Sequence, residues 1–203
     1  MLSKDHLALG YYLLDFAGSE ELLKHRRAFL AGCVEPDYNM ATYLRGMKTS
    51  RKFRGHNADN SFDHVSKCIA EFQQQGLCTG WDYFVLGTTL HYVADAFTWP
   101  HNTFWEKSLA QHAAYEIKLH PVFAASLCRE DGYADGPEPR SLTAFVAESH
   151  REYSAGPHEM AADCRYIIGV SGGLLRGSLR YAVPETESGQ YWNSSPPYRH
   201  GLI

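Results

Sequence analysis

The segment from Gly80 to Phe97, GWDYFVLGTTLHYVADAF, constrains the fold more than any other part of this chain. Wound as an α-helix, it places Trp81, Phe84, Val85, Leu86, Leu90, Val93, Ala94 and Phe97 over most of its circumference. A helix apolar on all sides belongs in the middle of a bundle, and Pro100 cannot continue it. The flanking sequence also reads as helices. One covers about 4–16, with Ser3 as cap and Gly18 as stop, and a second covers 19–31, stopped by Gly32 and Pro36. A third, 61–75, carries Phe62, Val65, Ile69 and Phe72 at helical spacing and closes at Gly76. Further helices span 105–119, with a short continuation from Pro121 to Cys128, then a segment capped by Ser141, then one opened by Pro157 that reaches about Tyr181. The glycine-rich middle of that last helix predicts close packing or a kink. Residues 37–60 and 129–140 read as loops, and the stretch from Pro184 as an irregular tail. Strand-like alternation is scarce, so the expected fold is an all-α, multi-helix bundle forming a single domain over 1–203.

Inside the most apolar helix stand His91 and Asp95, one turn apart and therefore on one face. Burying an imidazole and a carboxylate there is costly unless they pair with each other or hold a metal. His112 and Glu116 repeat the spacing in the next helix, and His101 follows Pro100 in the turn between the two. Imidazole nitrogen and carboxylate oxygen are good zinc ligands, and one-turn spacing lets a rigid helix supply two of them. Taken singly, each pair also fits a structural hydrogen bond. His6 reads equally as a packed histidine, Asp37 after Pro36 as a turn residue, and His56 in RGHNADN as a loop residue.

The run LGTTLHYVADAFTWPHN followed by HAAYE, with a histidine in the first helix and the upstream AGCVEPDYN and RGHNAD, resembles the bacterial zinc-dependent phospholipase C family. That family shares its fold and metal cluster with single-strand-specific zinc nucleases. The resemblance covers roughly the first 120 residues and implies a cluster of two or three Zn²⁺ ions. It assigns Asp37, His56, His91 and Asp95 to one ion, and His101, His112 and Glu116 to a second. His6 would hold a third, with Asp95 bridging to the first. Members begin with a tryptophan whose amino group and carbonyl complete the third site; Met1 stands five residues before His6 here. The implied activity is hydrolysis of a phosphodiester, a phospholipid or another phosphoester, by a metal-activated water, with Asp37 orienting or deprotonating that water. A nuclease or nucleotidase on the same metals, and a metal-stabilised binding module without turnover, are the alternatives.

Composition bounds the remaining choices. Nineteen basic and twenty-three acidic residues give a formal charge of −4, which disfavours a stable nucleic-acid complex held by backbone electrostatics. Five cysteines without a CxxC pair indicate neither a disulfide framework nor a cysteine zinc site. No stretch is apolar for the roughly 18 residues that a membrane-spanning helix needs. The start lacks the pattern of a secretory signal, so the expected compartment is the cytoplasm. HExxH, ExxH and an adjacent His-Asp dipeptide are all missing, which disfavours the metalloprotease, di-iron bundle and common helical phosphohydrolase alternatives. Tyr11, Tyr38, Tyr43, Phe53, Phe97, Trp99, Phe104 and Trp105 neighbour the candidate ligands and could line a pocket or simply pack the core.

Overall fold

A computed structural model describes residues 1–39, 57–105, 108–128 and 141–183. Among these residues the chain forms eight α-helices: α1 (Ser3–Ala17), α2 (Glu20–Lys24), α3 (Arg26–Tyr38), α4 (Ala58–Gln75), α5 (Gly80–Ala96), α6 (Leu109–Leu127), α7 (Leu142–Ala155) and α8 (Met160–Leu179). A 3-10 turn, Trp99–His101, links α5 to α6. The architecture is the expected all-α bundle, with a lone β-bridge between Leu77 and Ala182. No helix among the described residues is long and apolar enough to cross a membrane.

The α5 helix runs through the centre. Thr79 opens it with a capping box: its hydroxyl oxygen accepts from the Asp82 amide, while the Asp82 carboxylate accepts from the Thr79 amide. Every residue from Leu86 to Ala96 is buried, and only the stretch before Leu86, with Trp81 at 52% exposure, reaches solvent. The core around it includes Phe29, Tyr83, Tyr92, Phe97, Phe123 and Tyr153.

Helices α3 and α5 lie parallel and nearly touch. Gly80 faces Ala28, Gly87 faces Phe29 and Cys33, and His91 reaches Cys33. A Cβ at Gly32 would stand 2.1 Å from the Phe84 carbonyl oxygen, and one at Gly87 2.2 Å from the Phe29 carbonyl oxygen. These two glycines therefore admit backbone against backbone, which no side chain would allow. The contact corrects two expectations. Gly32 and Pro36 do not stop the helix; α3 continues to Tyr38 with Pro36 inside it. Pro36 deprives the Gly32 carbonyl of its helical partner, and packing onto α5 offsets that loss. Asp37 accordingly sits in the last turn of α3 and not in a loop. The helix expected over 19–31 is also broken at His25, with Ser19 capping only the short α2.

Other boundaries shift for local reasons. Ser3 is the first residue of α1 and makes no capping bond. The α4 helix begins at Ala58, ahead of the expected Ser61. Ser108, and not Trp105, starts α6 through a capping box with Gln111, and α6 passes Pro121 unbroken to Leu127. Ile117, whose carbonyl Pro121 leaves without a helical donor, stands on the solvent side at 64% exposure, where water serves instead. The glycine-rich α8 shows the expected close packing: Gly173 and Gly177 make room for Phe145 and Leu142 of α7. Residues 129–140 and the tail from Pro184 lie outside the described residues.

Candidate metal centre

Five elements converge at one end of α5. His6 comes from α1, Asp37 from α3, His91 and Asp95 from α5, His101 from the 3-10 turn, and His112 and Glu116 from α6. His56 lies outside the described residues. The side chains form two groups, His6–His91–Asp95 and His101–His112–Glu116, and within each group one ligand atom per residue lies within 4.8 Å of the others.

Asp95 is the hub. Its side chain is 1% exposed; Oδ1 lies 3.1 Å from His6 Nε2, and Oδ2 lies 3.4 Å from His91 Nε2 and 3.6 Å from His101 Nε2. Asp37 Oδ1 approaches His91 Nε2 at 3.7 Å. Within the second group, Glu116 Oε1 sits 3.0 Å from His112 Nε2 and 3.9 Å from His101 Nε2; the contact of His101 with Asp95 makes the two groups adjoin. The His6 and His91 rings stack at a centroid distance of 3.7 Å. The buried amino nitrogen of Met1 lies 2.5 Å from Asp95 Oδ1 and 3.1 Å from Glu116 Oε1. Nothing in the sequence pattern signalled that approach.

Hydrogen bonds fix two of the imidazole tautomers. The Cys33 carbonyl can only accept, so His91 donates to it from Nδ1–H at 2.9 Å. The Thr98 hydroxyl donates its one proton to the Asp95 carbonyl at 2.8 Å and must accept from His101 Nδ1–H at 2.5 Å. Both rings therefore turn an Nε2 lone pair toward the carboxylates of Asp95 and its neighbours. Atoms that each carry lone pairs repel at such distances unless a cation or proton lies between them. Thr98 was not singled out by sequence reasoning; its place three residues before His101, in a turn that follows a helix end, was the available signal.

Charge points the same way. Burial pushes His6 down to about 4 and holds His101 well below the usual histidine range, so both stand neutral near pH 7 and offer lone pairs rather than counter-charges. Burial disfavours the Met1 ammonium, but Asp95 and Glu116 prevail and raise it to about 10. Burial likewise opposes ionisation of Glu116, which His112 and the Met1 charge nevertheless bring down to about 2. Against the carboxylates of Asp37, Asp95 and Glu116 (−3), the Met1 ammonium supplies +1, leaving −2 among these groups. Two buried atoms, His6 Nδ1 and Asp37 Oδ2, have no hydrogen-bond partner among the described residues. Neutral nitrogen donors, excess carboxylate and orphaned polar atoms form a donor set that suits divalent zinc.

The remaining described histidines serve elsewhere. His120 pairs with Asp5, His150 bonds Asn102 Oδ1, His64 meets the Cys68 thiol and the edge of Tyr92, His25 stacks on Tyr83, and His158 stacks on Trp99 and Phe104. Of the candidate pocket aromatics, Phe97 and Trp105 are buried in the core, whereas Tyr11 and Tyr38 are exposed; Tyr43 and Phe53 lie outside the described residues. A cavity of ~270 Å³ between α4, α5 and α7 is lined by Phe62, Tyr92, Val93 and His150 and touches none of the clustered ligands.

Comparison with curated proteins and with solved structures gives no match. Among protein families, the one described as zinc dependent phospholipase C matches residues 5–159. That stretch takes in most of the 203 residues and all the clustered side chains except Met1, and the chain thus belongs to the zinc dependent phospholipase C family.

Proposed function

We propose that this protein hydrolyses a phosphodiester of the phospholipase C substrate class in a zinc-dependent reaction. The observation that carries the reading is Asp95, a buried carboxylate flanked by the imidazoles of His6, His91 and His101, the last two facing it through Nε2. In this reading Asp37, His56, His91 and Asp95 hold one Zn²⁺, and His101, His112 and Glu116 hold a second. His6 and Asp95 contribute to a third position beside Met1. Zinc bound there supplies Lewis acidity, which activates water at neutral pH and neutralises charge on a phosphate.

The side chains have distinct tasks. Asp95 links the two groups, because its Oδ2 faces both His91 and His101. Cys33 and Thr98 engage Nδ1 of those histidines, so that each ring presents Nε2 to the cluster. Asp37 Oδ2 is an unused buried acceptor at the edge of the cluster, placed to orient a water or take its proton. A phosphate is the anion class that a site of several divalent cations favours, even in a chain with a net charge of −4.

Metal analysis joined to parallel assays tests the proposal. At least two zincs per chain are expected, with hydrolysis of phosphatidylcholine or a chromogenic phosphodiester that disappears on chelation and in His91→Ala. Hydrolysis confined to single-stranded DNA would transfer the assignment to a nuclease. Full zinc occupancy with no turnover on any of the three would leave a binding module, and a stable, metal-free protein would refute the site.

A further inference from the structure

Asp163 on α8 lies beyond the residues matched by the family and outside both ligand groups. Its side chain is completely buried and accepts three hydrogen bonds: from the Tyr115 hydroxyl at 2.8 Å, the Tyr153 hydroxyl at 2.8 Å and the Trp99 backbone N–H at 3.3 Å. Two of these donors adjoin the second ligand group. Tyr115 directly precedes Glu116 and follows His112 by three residues on α6, and Trp99 opens the turn that ends at His101. The third donor, Tyr153, belongs to α7, which carries no candidate ligand.

We propose that Asp163 is a positioning residue, one that sets the placement of His101 relative to His112 and Glu116 and thereby the zinc affinity of that group. The proposal rests on the zinc reading above. Apolar contacts at Leu119 and Phe123 hold α6 against the bundle, but such contacts are non-directional and permit rotation about the helix axis. A short hydrogen bond from Tyr115 removes that freedom one residue from Glu116. The bond from Trp99 satisfies a backbone donor in the turn where Pro100 has none to offer. One carboxylate thus ties both walls of the ligand group to a helix that contributes no ligand itself.

Tyr115→Phe and Tyr153→Phe form a matched pair, since each deletes one buried O–H donor to the same carboxylate. Zinc stoichiometry and stepwise affinity, read by chelator competition on the full chain, distinguish positioning from general support. Tyr115→Phe and Asp163→Asn should each weaken one bound zinc by about 10-fold and leave another unchanged, while Tyr153→Phe, although it loses stability in urea, should leave every affinity as in wild type. Equal losses in Tyr115→Phe and Tyr153→Phe, or unaltered affinities in Tyr115→Phe, would overturn the role even where Asp163→Asn fails to fold. A wild-type protein that takes up no zinc would instead overturn the proposed function, and this role with it.

Discussion

Replacing Asp95 by Asn keeps the shape of a buried side chain and removes the charge on which the cluster centres. A ligand that binds only the native state stabilises it by about 4.1 kcal/mol at 1,000 times its Kd. For a chain of this size each kcal/mol moves the melting temperature by about 2–4 °C, so zinc should raise that of the wild type by about 8–16 °C. Asp95 Oδ1 faces His6 and Oδ2 faces both His91 and His101, so an uncharged replacement weakens donors to more than one ion. A 100-fold loss of affinity corresponds to about 2.7 kcal/mol. At the same free zinc the Asp95→Asn protein should therefore gain only about 1.4 kcal/mol, or about 3–6 °C. The assay is thermal unfolding of both proteins, each in buffered zinc and after metal removal. The double difference cancels whatever the substitution costs the metal-free fold, including the loss of a partner for Met1. Identical zinc-induced shifts in the two proteins would refute Asp95 as a shared ligand, and the absence of any shift in the wild type would refute the cluster as a metal site.

In the zinc-free protein, acidification should destabilise the fold in two stages. His6 titrates at about 4 when folded against 6.5 as a free side chain, and His101 is likewise held well below its free value, so the unfolded chain takes up these protons first and stability falls as the pH drops below about 6.5, by up to about 1.4 kcal/mol per pH unit for each histidine. Glu116, lowered from 4.5 to about 2, adds a further loss as the pH falls between those two values; urea midpoints that stay constant from pH 7 to 4 would contradict the buried, neutral state of His6. Gly87→Ala should cost about 3 kcal/mol or more, because its Cβ meets the Phe29 carbonyl and neither backbone can swing aside; an unchanged urea midpoint would show that α3 and α5 separate freely. Thr98→Val should lower zinc affinity about 10- to 100-fold by releasing His101 Nδ1, at a cost of about 1–2 kcal/mol to the zinc-free fold; chelator competition and urea melts measure the two effects.

The bundle was legible because its dominant signals are local. The apolar circumference of 80–97 announced a central helix, and the stops at Gly18 and Gly76 were read correctly. The errors came where tertiary contact outweighed a breaker: Pro36 and Gly32 look terminal in isolation, yet the interface with α5 keeps that stretch helical, and Pro121 is tolerated beside an exposed Ile117. Among the candidate ligands, His91 with Asp95 and His112 with Glu116 stand out by one-turn spacing, whereas His6, Asp37 and His56 are named only through the family resemblance; the described ones come together in space. Their supports could not be found that way. The Cys33 carbonyl and the Asp163 carboxylate act on residues 58 and 64 positions away, and Thr98, only three residues before His101, matters through a turn geometry that spacing does not display.

The interlock of Gly32 with Gly87 has a bearing on how the cluster could open. Two helices meshed at backbone level act as a fixed wall: sliding one past the other would drive carbonyl oxygens into peptide atoms before any side chain had room to turn. Asp37, His91 and Asp95 stand on that wall and share its rigidity. Across from it, α6 is held along one edge by Tyr115, Leu119 and Phe123, while Leu109, Ile117 and Val122 face water. Any opening of the cluster should therefore cost less at the α6 flank than at the α3–α5 wall.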